Sequence, residues 1–240
     1  MNVPFVGADV LGSAIGMAKD ITKRLLKEAH ILTTSFLVFT SSKISFEQIR
    51  KKFGLPFFVK PANLGSSVAV NCVHNKSEFQ RAVKEAFSFD TKILIEKYVP
   101  GREIECSVLG NENPIASLPG EIIVKKGFYS YAAKYIDPHI ATLKIQAELP
   151  HKIVKQIQKI AVKTYKTLYC EVMARVDFFL GRDNKIYVNE INTIPGFTNI
   201  SMYPKLWEAS GISYGELLDR LIKLAMARHA KQGRLKTSYV

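Results

Sequence analysis

The 240-residue sequence predicts an α+β protein built as two α+β units, and three observations carry that prediction. Helical and strand-like patterns are mixed throughout, with no internal repeat and no low-complexity stretch. Hydrophobic residues make up 47% of the chain and charged residues 23%, the balance of a globular protein long enough to bury a real core. Pro100-Gly101 interrupts the pattern near the middle, which places the expected boundary at Val99 to Gly101 and divides the chain into residues 1–100 and 101–240.

In the first unit, Ser13 to Ala29 reads as one helix with Ile21, Leu25 and Leu26 as its apolar stripe. A strand at Phe36 to Phe39 and a helix at Phe46 to Phe53 follow. Phe57 to Lys60 reads as a buried strand, leading through Pro61-Ala62-Asn63-Leu64-Gly65-Ser66-Ser67 to a second strand around Val68 to Val73. Ser77 with Gln80 three residues on has capping-box spacing and starts a helix running to Phe87, after which Ile93 to Glu96 is a strand. The second unit opens with strands at Glu103 to Leu109, Ile115 to Leu118 and Glu121 to Val124. A Gly/Tyr-rich loop, a long helix at Pro150 to Leu168, a strand pair and two closing helices complete it.

That strand pair is the most informative segment. It runs through Met173-Ala174-Arg175-Val176-Asp177-Phe178-Phe179-Leu180 and returns as Lys185-Ile186-Tyr187-Val188-Asn189-Glu190-Ile191-Asn192. Side chains alternate along a strand, so Arg175 and Asp177 share one face, as do Glu190 and Asn192. A hairpin loop of two or four residues would bring all four to the same side of the sheet and leave Ala174, Val176, Phe178 and Leu180 on an apolar opposite face. Two carboxylates, an amide oxygen and a guanidinium are costly to bury unless neutralised, which a hard oxygen-preferring cation such as Mg²⁺ does well. The alternative is a plain Arg175–Asp177 salt bridge beside a solvated Glu190.

Three further segments carry possible chemistry. Val59-Lys60-Pro61 followed by Gly65-Ser66-Ser67 puts a lysine at a strand end before a small, hydroxyl-bearing loop, which can clamp a polyphosphate or simply connect two strands. Around Glu96-Lys97-Tyr98-Val99, the backbone could pair with a base edge and Glu103 could bind ribose hydroxyls, although a charged strand end reads the same way. Gly127-Phe128-Tyr129-Ser130-Tyr131-Ala132-Ala133-Lys134-Tyr135 reads as an aromatic lid carrying one cation, or as a loop packed on its own domain.

The bulk properties narrow the class. No apolar run approaches the roughly 20 residues of a membrane helix, and Met1 to Met17 lacks a basic leader and contains Asp9, so neither a membrane span nor a signal peptide is expected. Cys72, Cys106 and Cys170 are odd in number and in no metal-ligand pattern, which reads as reduced thiols in a cytoplasmic protein. The net charge of +13 raises nucleic acid as a partner. Its lysines, such as Lys152, Lys155, Lys159, Lys163 and Lys166, are spread along helical faces and not interleaved with aromatics, so that reading ranks last and no nucleic acid is expected.

Taken in order, these segments resemble the D-alanine–D-alanine ligase family, within the ATP-grasp superfamily. The resemblance runs through Pro4-Phe5-Val6-Gly7, Val59-Lys60-Pro61, Gly65-Ser66-Ser67, Gly101-Arg102-Glu103, Pro119-Gly120-Glu121, the lid, Ala174-Arg175-Val176-Asp177, Asn189-Glu190-Ile191-Asn192, Pro195-Gly196 and Ser201-Met202-Tyr203-Pro204. It implies an ATP-grasp fold, with a small central and a large C-terminal subdomain clamping ATP between them. The implied reaction is ATP-dependent joining of two D-alanines through an acyl phosphate, for peptidoglycan synthesis.

On that resemblance, Lys19, Lys60 and Lys134 neutralise phosphates, and Ser66 and Ser67 sit in the phosphate-side loop. Glu96, Lys97 and Val99 line the adenine site, Glu103 takes the ribose, and Phe128, Phe179, Asn189 and Glu190 complete the nucleotide site. Asp177, Glu190 and Asn192 hold two Mg²⁺ ions, or Mn²⁺ in their place. Arg175 and the Gly196 N–H face the developing oxyanion, Ser201 helps bind the second substrate's carboxylate, and Tyr135 goes with D-alanine as the attacking amine. The implied partners are D-alanine, a separately encoded N-terminal domain and a second copy in a homodimer. The sequence begins where the family's central domain begins, so the expectation is a chain lacking the family's N-terminal domain. Ala18, Ala69, Ala132 and Glu171-Val172 depart from the usual pattern. The competing expectation is a nucleotide-binding remnant without ligase activity.

Overall fold

A computed structural model describes residues 3–124, 141–198, 201–236 and 238–239. Two short helices, α1 (Val10–Met17) and α2 (Lys19–Glu28), precede β1 (Phe36–Phe39), α3 (Phe46–Phe53), β2 (Phe57–Pro61), β3 (Asn71–Val73), α4 (Lys76–Phe89) and β4 (Ile93–Lys97). Then come β5 (Gly101–Leu109), β6 (Ile115–Ala116), β7 (Gly120–Val124), β8 (Ala141–Lys144), α5 (His151–Thr167), β9 (Met173–Gly181), β10 (Ile186–Asn192), α6 (Met202–Ala209) and α7 (Tyr214–Gln232). The strands form two antiparallel sheets, one ordered β1-β4-β2-β3 and the other β10-β9-β5-β7-β8 with β6 on β5. The chain leaves the first sheet at Lys97 and enters the second at Gly101.

Each sheet has its own core. In the small sheet, Phe57 meets Phe46 and Phe79 from α3 and α4, with ring centroids 5.6 to 6.2 Å apart across the three pairs, the tilted and edge-on geometry aromatic rings favour. In the large sheet, Ala174, Val176, Phe178 and Leu180 of β9 enter a core with Ile157, Ala161 and Tyr165 of α5, as the alternation predicts. Ala8, Leu26 and Ile31 belong to that same core, so the first two helices pack on the large sheet although they precede the small one. A third cluster, with Tyr203, Trp207, Leu217 and Leu221 around Leu109 and Met173, seats α6 and α7.

Several local expectations are corrected. The single helix over Ser13 to Ala29 is two helices, because Ala18 is extended at φ −85°, ψ 90° and the Lys19 N–H donates to the Ala62 carbonyl (3.0 Å). The break turns the start of α2 toward the loop after β2. The cap of α4 is Asn75, not Ser77. Its side chain accepts from the Glu78 N–H at 3.0 Å, while Glu78 reaches back to the His74 N–H at 2.7 Å. The helix therefore starts two residues earlier, where Asn75 caps it and Glu78 satisfies the N–H just before the cap. The strand expected from Val68 spans only Asn71–Val73, since Ser66, Ser67 and Ala69 are left-handed (φ 55°, 58° and 51°) and form a turn.

The hairpin joining β9 to β10 is also corrected, with a compensating feature. Gly181 pairs with Lys185 through a 2.9 Å hydrogen bond, leaving the three-residue loop 182–184 with Asn184 left-handed at φ 59°. That loop sets the pairs Leu180↔Ile186, Phe179↔Tyr187 and Phe178↔Val188, a register that would turn Glu190 and Asn192 away from Asp177 and Arg175. A β-bulge between Val188 and Glu190 inserts Asn189 and shifts the pairing to Asp177↔Glu190 and Arg175↔Asn192. The four polar residues converge because of the bulge.

The two sheets meet over a buried ionic cluster. Glu96 on β4 sits between two ammonium groups, with Lys23 of α2 3.2 Å from Oε1 and Lys60 of β2 2.9 Å from Oε2. Lys23 also donates to Thr34 (2.7 Å) and Thr33 (3.0 Å), and Thr33 donates to the Val188 carbonyl on β10 (2.9 Å). Burial raises the Glu96 carboxyl, but the two lysine charges more than offset it and hold the group down to about 2. A carboxyl whose folded value lies below its unfolded one stabilises the fold above the unfolded value, and that stability is lost as the pH falls through the folded one.

Two predictions follow from this framework. The stability of the wild-type chain should fall between about pH 4.5 and pH 2 by up to about 3 kcal/mol more than that of Glu96→Gln, read from urea midpoints across that range. Parallel pH profiles for the two proteins would contradict the cluster. Gly101→Ala should cost about 2 kcal/mol in thermal unfolding, because its methyl would stand 2.1 Å from the Leu180 carbonyl oxygen, a backbone atom held in the β5–β9 ladder.

Candidate active site

Between the sheets lies a pocket of about 380 Å³, lined from both sides. Its floor is the face of the large sheet opposite the core. On β5, Glu103 and Glu105 lie across from Phe179 and Asp177 of β9, and Asp177 in turn lies across from Glu190 of β10. The other wall comes from the small sheet and its loops, with Lys60, Ser67, Glu96, Lys97 and Val99. Lys19 reaches in from the start of α2, its ammonium donating to the Leu64 carbonyl and standing 4.0 Å from the Glu190 carboxylate. One wall is thus rich in cations and the floor in carboxylates.

The floor is electrostatically organised. The Arg175 guanidinium forks onto Asp177, with Nε to Oδ1 and a terminal nitrogen to Oδ2 both at 2.7 Å, and Nε lies 3.0 Å from Glu105 Oε2. Burial works against the arginine's charge, yet Asp177 and Glu105 outweigh it and raise the group above its ordinary value. The Asn192 amide donates to Asp177 Oδ2 at 3.3 Å. Glu190 is half-buried and faces Lys19, so the plain Arg175–Asp177 pair exists within a larger cluster that also holds Glu105 and Lys19.

The residues singled out from sequence are distributed as follows. Lys19, Lys60, Ser67, Glu96, Lys97, Val99, Glu103, Asp177, Phe179, Asn189 and Glu190 line the one pocket. Arg175 and Asn192 sit on its carboxylate side through their bonds to Asp177. Ser66 is exposed on the left-handed turn beside Ser67. Gly196 and Ser201 adjoin each other outside the pocket lining, a Cβ on Gly196 falling 2.9 Å from Ser201 Oγ, which itself accepts from the Thr198 N–H at 2.9 Å. Phe128, Lys134 and Tyr135 lie outside the described residues.

Glu105 in the pocket lining and Lys23 behind it were not singled out from sequence. Glu105 was legible, since it alternates with Glu103 and must share its face. Lys23 gave no signal, because a lysine four residues after Lys19 reads as a solvated helix face, yet it is fully buried.

The oxygen donors of Asp177, Glu190 and Asn192 are the type that Mg²⁺ takes. Among the described residues no three His, Cys, Asp or Glu side chains gather into a metal cage of their own, so a cation here would draw its other ligands from phosphate and water. The buried Asn189 amide oxygen has no hydrogen-bond partner among the described residues, a polar atom left at the bulge beside Glu190. Cys106 and Cys170 are free and buried, and Cys72 is free and half-buried. Among the described residues no helix is long and apolar enough to cross a membrane.

Comparison with known proteins agrees with this geometry. The profile of the family described as D-ala D-ala ligase C-terminus matches residues 25–223. The D-alanine–D-alanine ligase of Oceanobacillus iheyensis is 55% identical over 240 residues, 99% of this chain and 66% of that protein. D-alanine–D-alanine ligase A of Salmonella typhimurium is 51% identical, with 99% and 66% covered. The chain therefore spans about two thirds of the length of the curated relatives it matches. Among solved structures, the Coxiella burnetii D-alanine–D-alanine ligase superposes with a TM-score of 0.86 at 46% identity, covering 97% of this chain and 63% of that one. The Bacillus anthracis ligase complexed with ATP superposes at 0.80 and 33% identity, covering 96% and 73%. With its ATP-grasp α+β architecture and a family match over most of its length, the chain belongs to the D-alanine–D-alanine ligase C-terminus family.

Proposed function

We propose that this chain carries the ATP-binding and ligating part of a D-alanine–D-alanine ligase. The observation that carries the reading is the pocket of about 380 Å³ between the sheets, whose lining brings Lys19 and Lys60 together with Asp177 and Glu190. The reaction is ATP-dependent, phosphorylating the carboxylate of one D-alanine so that the amine of a second attacks the acyl phosphate. It serves peptidoglycan synthesis in the cytoplasm, and the enzyme acts as a homodimer. The two halves of the clamp divide near residue 100.

Each group has a role set by its charge and place. Lys19 and Lys60 neutralise phosphate oxygens, and Ser67, with Ser66 beside it, offers a turn whose N–H groups can face them. Lys97 and Val99 supply backbone beside the base, Glu96 lies behind them, and Glu103 takes the ribose hydroxyls. Asp177, Glu190 and Asn192 would hold Mg²⁺, which supplies charge neutralisation between phosphate groups. Arg175, held by Asp177 and Glu105, is a preorganised cation beside the site of developing negative charge. Gly196 and Ser201 bind on the acceptor side.

The direct test is D-alanine-dependent release of ADP by the purified chain with Mg²⁺ and ATP, together with Mg-ATP binding by calorimetry. Binding with dipeptide formation is the expected result. Binding without turnover would favour a nucleotide-binding remnant, and no Mg-ATP binding would sink the reading. Asp177→Asn or Glu190→Gln should lower Mg²⁺-dependent activity by at least about a hundredfold, in line with the loss of one preorganised electrostatic group, with circular dichroism unchanged. Normal activity in both variants would remove the metal assignment.

A further inference from the structure

Lys23 is the buried cation at this site to which the proposed reaction gives no task. Its ammonium is wholly enclosed, 3.2 Å from Glu96 Oε1, and donates to Thr34 and Thr33 at 2.7 and 3.0 Å, with the Phe36 ring centroid 5.9 Å away. Other charged groups felt at this position are Lys60 and Glu190. Burial lowers the Lys23 ammonium to about 8 against the support of Glu96. A fully buried lysine is expensive unless its charge is matched, so its presence calls for a reason.

Counting charges supplies one. Lys23, Glu96 and Lys60 together carry one excess positive charge, and Lys60 is the cation among them that lines the pocket. Without Lys23, Glu96 would neutralise Lys60 alone, and the cluster would present no net charge to a phosphate. The same ammonium ties the small sheet to the large one, since Thr33 continues from Lys23 to the Val188 carbonyl immediately before the bulge.

Resting on the nucleotide reading above, we propose that Lys23 is a positioning residue. It occupies one oxygen of Glu96 so that the charge of Lys60 stays available to a polyphosphate, and it holds Lys60 in register with the Glu190 strand. Lys23 itself touches neither the nucleotide nor the metal.

The test is a binding cycle on the full chain with Mg-ATP and with adenosine as probes. Lys23→Met should raise the Kd for Mg-ATP at least tenfold while changing that for adenosine less than threefold, because the lost charge matters only to phosphate. In a Glu96→Gln background, where no carboxylate remains to neutralise Lys60, adding Lys23→Met should change Mg-ATP affinity less than threefold. A tenfold loss in this second comparison counts against the proposal even where Lys23→Met alone fails to fold. Equal losses for ATP and adenosine in a folded Lys23→Met, or a tenfold loss in the Glu96→Gln background as well, would overturn the proposal. Failure of the wild type to bind Mg-ATP would overturn the nucleotide reading and this proposal together.

Discussion

A carboxylate enclosed by two sheets must be matched in charge, and Glu96 sets that requirement for the centre of this molecule. The match comes from two separated parts of the chain. Lys60 arrives on the neighbouring strand of the small sheet, while Lys23 arrives on a helix that packs against the large sheet. Thr33 carries the connection on to β10. The broken helix at Ala18 belongs to the same device, because the break turns Lys19 into the pocket while Lys23, one turn on, points into the junction. Fold and site therefore share their charges. Glu96 and Lys60, which belong to the ionic cluster, also line the pocket between the sheets.

The floor of the pocket is governed by a simpler rule. Antiparallel alternation sends Ala174, Val176, Phe178 and Leu180 into the core and leaves Arg175, Asp177 and Phe179 facing the pocket. Glu103 and Glu105 follow from the same rule on the adjacent strand. On β10 the rule by itself would fail, since the three-residue hairpin loop sets the opposite parity. Asn189 repairs it by being the inserted residue of a bulge, and its buried amide oxygen is left without a hydrogen-bond partner among the described residues. Such a bulge re-aims side chains at the point where a strand becomes functional.

The family match places these features in a context of known ligases while covering about two thirds of their length. Within that span, the turn between β2 and β3 departs from ordinary backbone. Ser66, Ser67 and Ala69 all adopt the left-handed conformation without being glycine. Residues in that region cost free energy and persist where their surroundings hold them, often at ligand-binding turns.

Much of this was legible in the residues themselves. Strand periodicity exposed the polar face of β9, the break at Pro100-Gly101 marked the passage from one sheet to the other, and the ordered short segments carried the family resemblance. These features are local, so spacing along the chain encodes them. Two decisions were not legible in local spacing. The hairpin register depended on a bulge that no turn residue announces, and the role of Lys23 on a carboxylate 73 positions away in sequence. A lysine on a helix looks the same in sequence whether it meets water or a buried glutamate. Only the packing of two sheets against each other determines which it meets, because desolvation and pairing are properties of the assembled interior.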